Sequence, residues 1–329
     1  MSGAVAVIGL GLMGSRMSGH LLAAGHEVLG YDPDPARLAE FEAKGGLVTE
    51  SPAEAVQGCW AALLSLPTSD VSREVCLGGD GVARSGVSPL FVYDTTTGRP
   101  GDAVEIAAGL DEVGVVYSDT TVSGNSEVAE KGELVVMLGG SEDAYLHGRP
   151  IFEAIGRSHH HVGTVGSASR MKLIVNHALT VQRMALAEAL VVAELAGMDL
   201  DTALEVLKDS LAYSKVMDVW GDRMVAGDHE FPYARLRQSH KDARLIVDHG
   251  VELGATMDLA LVAREALAEG EETGLADMDN SSVMEVVRRR AGIGRVPPSP
   301  AAPVLPPTEG DENPPSPAAP VLPPTGGDM

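Results

Sequence analysis

A glycine-rich turn between an apolar strand and a helix is the feature that most constrains this chain. Gly9, Gly11 and Gly14 form a GxGxxG pattern directly after "VAVI" and directly before the helical "SRMSGHLLAAG". Such glycines allow a tight turn, a close backbone approach to phosphate and close packing of helix on strand. The helix N-terminus then faces a pyrophosphate with free N–H groups and the positive end of its dipole. The other residues of the turn, also expected at the dinucleotide, are Leu10, Leu12 and Met13.

An acidic residue at the end of the second predicted strand supports this interpretation. Asp32 stands 23 positions after Gly9, where a carboxylate accepts hydrogen bonds from the hydroxyls of an adenosine ribose. A 2′-phosphate at that point would meet a like charge, so the sequence favours NAD over NADP. Arg37 is near enough in sequence to keep NADP open as the alternative. The other alternative, a tight turn that binds no ligand, is disfavoured by the acid at this distance.

The hydrophobic pattern changes its period once along the chain. Residues 1–165 alternate β-branched runs with helical stretches, as parallel βαβ units do, whereas residues 166–293 have apolar positions at spacings of three and four. We therefore predict an α/β, Rossmann-type doubly wound sheet followed by an all-α C-terminal domain, with a helix from about Ser167 joining them. The six predicted strands are "AVAVIG", "HEVLGYD", "WAALLSLP", "LFVYDTTT", "GVVYSDTTV" and "GELVVMLGG".

Residues 294–329 form a proline-rich tail. The stretch "PPSPAAPVLPPTEGDEN" at 297–313 is repeated almost unchanged at 314–329. Segments of this composition do not build a packed core, so the tail is expected to be extended and disordered. A docking or self-pairing role is the alternative.

Charge and cysteine content exclude several function classes. Lys and Arg number 24 against 47 Asp and Glu, and a net charge of −23 repels nucleic acid and anionic membrane surfaces. Cys59 and Cys76 lack the spacing of a zinc site or disulfide framework. The adjacent side chains of His159–His161 alternate faces in an extended segment, which disfavours a metal site. Without a signal-like or membrane-spanning segment, a cytoplasmic protein is expected.

A lysine and an asparagine lie on the apolar face of a predicted helix. Lys172 and Asn176 in "KLIVNHAL" are one helical turn apart. Burial of an ammonium group lowers its pKa toward neutrality, which suits a general acid/base. The asparagine could hold a substrate oxygen beside the amine. The alternative is a lysine that extends along the helix to water and an asparagine with no chemical role.

Four blocks in order resemble the β-hydroxyacid dehydrogenase family across residues 4–275. The opening "VIGLGLMGSRMSGHLLAAGHEVLGYD" looks like the family's cofactor-binding segment, and "DTTVSGNSEVAEKGELVVMLGG" is similar to its substrate signature. "GSASRMKLIVN" resembles the block with the catalytic lysine and asparagine, and "HKDARL" resembles its distal Lys-Asp pair.

The resemblance implies a role for each matching residue. Lys172 would be the acid/base and Asn176 its positioning partner, while Ser123 and Gly124 would bind the substrate carboxylate. Leu66 and Pro67 match a turn beside the cofactor, and Thr97 matches a threonine at the nicotinamide side. Lys241 matches the distal lysine that reaches back to the active site. Asn125 replaces the usual second glycine of the substrate signature and adds a side chain beside the carboxylate site.

Together these features predict an NAD-dependent oxidoreductase acting on a small 3-hydroxy acid or its semialdehyde or ketone. A homodimer or homotetramer is expected, as in related enzymes whose helical domains pack together. One alternative is an imine reductase, although such enzymes commonly have Asp or Tyr where Lys172 stands. The alternative of another class is a non-catalytic cofactor-binding interaction protein, which would not need a buried amine.

Overall fold

A computed structural model describes residues 3–293, so the prediction for the proline-rich tail falls outside the described residues. The N-terminal part is one eight-stranded sheet in the order β3-β2-β1-β4-β5-β6-β7-β8. The strands are β1 Ala4–Ile8, β2 Val28–Tyr31, β3 Leu47–Val48, β4 Cys59–Leu64, β5 Leu90–Asp94, β6 Val115–Ser123, β7 Leu134–Gly139 and β8 Gly156–Gly163. This architecture confirms the predicted doubly wound α/β fold.

Thirteen α-helices occur among the described residues. They are α1 Gly14–Ala23, α2 Pro35–Ala43, α3 Pro52–Ala55, α4 Ser69–Leu77, α5 Pro100–Asp111, α6 Ser126–Glu130, α7 Glu142–Ile155, α8 Ser167–Leu195, α9 Leu200–Asp209, α10 Asp222–Ala226, α11 Leu236–Glu252, α12 Asp258–Glu272 and α13 Val283–Arg290. Within residues 3–293, no helix has both the length and the apolar character needed to cross a bilayer.

Alternation along the strands builds a core on each face of the sheet. In β1, Val5 and Val7 belong to one buried cluster, and Ala6 and Ile8 belong to the other. All four are at most 1% exposed. Because successive side chains of a strand point to opposite faces, a strand buried on both faces needs a continuous apolar run. This requirement explains why "VAVI" was recognisable as a central strand.

One pair of strands departs from the parallel pairing that βαβ units form. β6 and β7 pair antiparallel, from Asp119 opposite Gly139 to Ser123 opposite Val135. Only residues 124–133 connect them, and this segment includes the short helix α6. A parallel crossover needs about a dozen residues or more, so the connection is too short to return the chain to the other end of the sheet.

Helix α8 runs for 29 residues, about 43 Å, from the sheet into the helical part. It packs on β6 and β7 and then against α11, α12 and α13. The helical core beside it is aliphatic, with Leu190, Leu204 and Leu267 among its buried members. The described residues, 3–293, fall in a single compact unit, so the domain boundary at 165–166 stays a prediction from the sequence.

Candidate active site

A large cleft runs along the carboxyl ends of the parallel strands and continues between α8 and α11. Its volume is about 1410 Å³. Doubly wound sheets bind ligands at this edge, where the loops after the strands diverge. The sequence-predicted residues that line it are Gly9, Gly11, Leu12, Met13, Asp32, Leu66, Pro67, Thr97, Ser123, Gly124, Asn125, Lys172 and Asn176. Those that do not line it are Leu10, Gly14 and Lys241.

The glycine-rich turn is as tight as its sequence predicts. Gly9 has φ +93°, and a Cβ there would overlap the carbonyl oxygen of Ser65. A Cβ on Gly14, the first residue of α1, would overlap the carbonyl oxygen of Gly9. Two positions of the turn therefore require glycine for steric reasons.

Two glycines of α1 give a matched pair of substitutions. We expect Gly14→Ala to destabilise the fold by about 1–3 kcal/mol, because the added methyl group meets backbone, and to weaken dinucleotide binding. Gly19→Ala should stabilise by about 0.5–1 kcal/mol, because that Cβ has no atom within 4 Å. Urea denaturation and calorimetric titration with NAD measure both effects. Equal stabilities for the two variants would contradict the packing described for the turn.

Asp32 is anchored at the end of β2 and stands beside a cation. Its carboxylate accepts hydrogen bonds from Leu10 N (2.8 Å) and Asp34 N (3.0 Å), and the side chain is 3% exposed. The guanidinium of Arg37 lies 3.3 Å from Asp32 Oδ2 and also borders the cleft. An acid suited to ribose hydroxyls and a cation suited to a phosphate thus share this end of the cleft.

Lys172 and Asn176 both face the cleft from the first turns of α8. Desolvation lowers the pKa of Lys172, the negative charge of Asp242 partly offsets that fall, and the positive charge of Lys241 adds to it. Asn176 Nδ2 donates to Asp242 Oδ2 at 2.9 Å. The pKa of the amine is therefore moved below its ordinary value, which is the direction that suits a proton-transfer group.

Lys241 joins the helical part to the sheet. Its Nζ donates to the carbonyl of Thr97 at 2.9 Å and lies 3.4 Å from that of Pro67. It also lies 3.3 Å from Asp242 Oδ1. One lysine of α11 thus contacts the turns after β4 and β5, which carry the residues that the family resemblance implies beside the cofactor and at the nicotinamide side.

The substrate signature lies where β6 ends. Ser123 closes the strand, and Gly124 has φ +142°, a conformation that favours glycine. Asn125 Oδ1 accepts a hydrogen bond from Val128 N at 2.9 Å and caps α6. The oxygen of the unusual asparagine is therefore occupied by the backbone, and its amide nitrogen is the group it can offer to a ligand.

Sequence reasoning gave no role to two acids that support the site. Asp242 follows Lys241 in "HKDARL", and no role was predicted for it, yet it holds Asn176 and acts on the pKa of Lys172. Asp119, in the middle of β6, accepts hydrogen bonds from Gly166 N and Ser169 N, each at 2.7 Å. It satisfies donors at the start of α8, the helix that carries the lysine. An acid in the middle of a predicted strand was the available signal.

Comparison with known proteins identifies the family. The model for the NAD-binding domain of 6-phosphogluconate dehydrogenase matches residues 4–165. The model described as NAD-binding of NADP-dependent 3-hydroxyisobutyrate dehydrogenase matches residues 166–287. A probable 3-hydroxyisobutyrate dehydrogenase of Mycobacterium tuberculosis is 32% identical over 295 residues, covering 87% of this chain and 98% of that protein. The chain belongs to the β-hydroxyacid dehydrogenase family.

Solved structures agree with the family assignment. The crystal structure of 3-hydroxyisobutyrate dehydrogenase from Salmonella typhimurium superposes with a TM-score of 0.79 at 29% identity, covering 86% of this chain and 99% of that one. An imine reductase from Pseudomonas sp. superposes with a TM-score of 0.58 at 18% identity, covering 87% and 100%, which shows a shared fold only. The chain is thus similar to NAD(P)-dependent hydroxyacid dehydrogenases in sequence as well as in fold.

Proposed function

We propose that this β-hydroxyacid dehydrogenase is NAD-dependent and interconverts a small 3-hydroxy acid and its aldehyde or ketone, with Lys172 as general acid/base. The observation that carries the proposal is the desolvated amine of Lys172 in the same cleft as the glycine-rich turn. A desolvated ammonium group is costly for folding, and acid/base chemistry next to a bound dinucleotide accounts for it.

The residues of the cleft fit a nicotinamide dinucleotide. Gly9 and Gly14 leave no room for side chains at the turn, so backbone can approach a pyrophosphate there. Asp32 would accept hydrogen bonds from the adenosine ribose, and Thr97 would border the nicotinamide. When bound, the nicotinamide supplies the hydride acceptor or donor of the reaction.

The protein's own part in the chemistry is positioning and proton transfer. A neutral Lys172 amine accepts the hydroxyl proton of the alcohol, and in the reverse direction its ammonium form donates that proton to the carbonyl oxygen. Asn176 would hold the same substrate oxygen. Asp242 acts as a positioning residue, because it fixes the Asn176 amide at 2.9 Å and adjusts the charge beside the amine.

Ser123 and Gly124 are proposed to hold the carboxylate of the substrate at the end of β6. Anchoring that group would fix the reacting carbon between the amine and the nicotinamide, and such positioning contributes several kcal/mol to catalysis. Asn125 Nδ2 is a further donor beside this position. An imine substrate, by contrast, needs no carboxylate site, so these residues favour the hydroxy acid over the imine reductase alternative.

A homodimer or homotetramer in the cytoplasm completes the proposal. Large apolar side chains of the helical part are exposed by 58–64%, among them Val192, Leu195, Met198 and Val206. Apolar side chains gathered on one region of a surface favour self-association. Size-exclusion chromatography with light scattering measures the state directly.

Cofactor preference should depend on the pair formed by Asp32 and Arg37. We expect NAD to be used with a higher kcat/KM than NADP, because the carboxylate repels a 2′-phosphate. Asp32→Ala should cut that preference about tenfold or more, since it removes the repulsion and leaves the guanidinium. Arg37→Ala should raise the preference for NAD. Kinetics with both cofactors test this, and a wild-type preference for NADP would contradict it.

A screen of small 3-hydroxy acids and their semialdehydes, run with both cofactors, tests the proposed function as a whole. Turnover of at least one member, lost in Lys172→Ala, is the expected result. Dinucleotide binding without turnover of any member would favour the non-catalytic alternative.

A further inference from the structure

A buried arginine lines the cleft and lies beyond the lysine and asparagine along α8. Arg183 follows Lys172 by 11 residues on α8, about three turns, and so lies on the same helix face. It is 4% exposed. Its guanidinium lies 5.0 Å over the ring of Trp220, and its Nη2 is 3.5 Å from Ser239 Oγ.

No carboxylate among residues 3–293 forms an ion pair with Arg183. Two acids, Asp279 and Asp242, raise the pKa of Arg183 from a distance. Asp279 forms an ion pair with Arg223, and Asp242 contacts Asn176 and Lys241. Desolvation lowers the pKa of Arg183 to about 10, so the group is still a cation at neutral pH. A buried arginine is normally paired, because an isolated charge loses solvation without compensation.

Other polar atoms of the same wall also lack partners. Trp220 Nε1 and Asn280 Oδ1 are buried without a hydrogen bond, and both residues line the cleft. Ser239 Oγ accepts hydrogen bonds from Arg183 and from Asn280, which leaves its own hydroxyl hydrogen free to donate. The wall thus offers a forked cation and a hydroxyl donor to a ligand.

Positions along α8 and α11 separate Arg183 from the asparagine of the proposed reaction centre. Ser239 and Asp242 are three residues apart on α11, which separates their side chains by about 5 Å. Asp242 holds Asn176, and Ser239 contacts the guanidinium. Along α8 itself, Arg183 is seven residues, about two turns, beyond Asn176, and both side chains line the cleft.

We propose that Arg183 and Ser239, over the face of Trp220, form a second anion-binding subsite that takes the distal carboxylate of a hydroxy dicarboxylate. The forked guanidinium matches the two oxygens of a carboxylate. A ligand that reaches both Asn176 and Arg183 must carry its second carboxylate several bonds from the carbinol carbon, because the two residues are about two turns apart on α8. This inference rests on the proposed function and narrows its substrate class to acids with a second carboxylate.

Matched substrates test the subsite in the NAD-saturated full-length enzyme. The pair is 2-(hydroxymethyl)glutarate and its distal monoamide, which has the same size without the second charge. We expect kcat/KM for the diacid to exceed that for the monoamide by about 10–100-fold, and the ratio to fall to near one in Arg183→Met and only partly in Arg183→Lys. A wild-type ratio near one, or a ratio that Arg183→Met leaves unchanged, overturns the proposal. Should Arg183→Met fail to fold, Ser239→Ala must lower the ratio several-fold.

A binding measurement separates failure of the subsite from failure of the proposed function. Trp220 fluorescence, recorded in a Trp60→Phe background with NAD bound, should change saturably on titration with glutarate and should not change when Arg183→Met is added. Glutarate binding without turnover of any hydroxy acid supports the subsite and sinks the proposed function. Turnover with no Arg183-dependent glutarate signal sinks the subsite alone.

Discussion

Replacement of Lys172 by methionine is expected to lower kcat for hydroxy acid oxidation by about 10²–10⁴-fold and to change NAD affinity by less than a few-fold. The amine would be the group that takes the hydroxyl proton, whereas the dinucleotide would be held by the turn after β1 and by Asp32. Stopped-flow measurement of NADH formation gives kcat, and calorimetry gives the affinity for NAD.

Two variants control for this loss of activity. Lys172→Arg keeps the charge but cannot lose its proton, so it should remain as inactive as the methionine variant. Lys208→Met removes a lysine of α9 whose Nζ lies 3.0 Å from Asp222 Oδ1 and which has no part in the proposed site. This variant should retain full activity. A Lys172→Met enzyme with more than a tenth of wild-type kcat would be incompatible with the proposed role.

Substitution of Asp119 by alanine is expected to produce the largest loss of stability, about 2–4 kcal/mol. Its buried carboxylate accepts hydrogen bonds from Gly166 N and Ser169 N, and both donors would lose their partner inside the protein. Because α8 begins at Ser167, loss of this anchor should also displace Lys172 and reduce kcat. Urea denaturation and steady-state kinetics measure the two effects.

Comparison variants make this prediction specific to the two hydrogen bonds. Asp119→Asn can accept with one oxygen only, so its stability should fall between those of wild type and Asp119→Ala. Asp111→Ala, at an exposed acid that ends α5, should stay within about 0.5 kcal/mol of wild type. An Asp119→Ala protein as stable as Asp111→Ala would show that the start of α8 does not depend on this carboxylate.

The strands that sequence reasoning found are those whose burial leaves a continuous apolar run, such as β1 and β4. It missed β3, whose two residues, Leu47 and Val48, are both exposed, and it described the edge strand β8 only as an extended histidine-bearing segment. Edge strands carry a weak pattern because few of their side chains enter a core. The antiparallel β6–β7 pair follows from the length of a connection rather than from any residue type.

The residues of the candidate site also fall into those that the sequence predicts and those that it does not. Motif residues could be assigned because local spacing fixes their geometry, as in the turn at Gly9 and the one-turn separation of Lys172 and Asn176. The partners of these residues come from distant parts of the chain: Asp242 is 66 positions from Asn176, and Asp119 is 47 positions from Gly166. Pairing across such separations is decided by the packing of α8 on the sheet and on α11, and no local pattern encodes it.

The pH dependence of kcat/KM for alcohol oxidation tests the role of Lys172 most directly. In the proposed mechanism the amine must be neutral, so activity should rise with pH through a pKa below the ordinary lysine value. Asp242 raises that pKa and Lys241 lowers it, so Asp242→Asn should move the rise to lower pH and Lys241→Met to higher pH. Shifts of opposite sign are the predicted result. A rise that stays in place in both variants, or moves in the same direction in both, would contradict the assignment of the proton-transfer group.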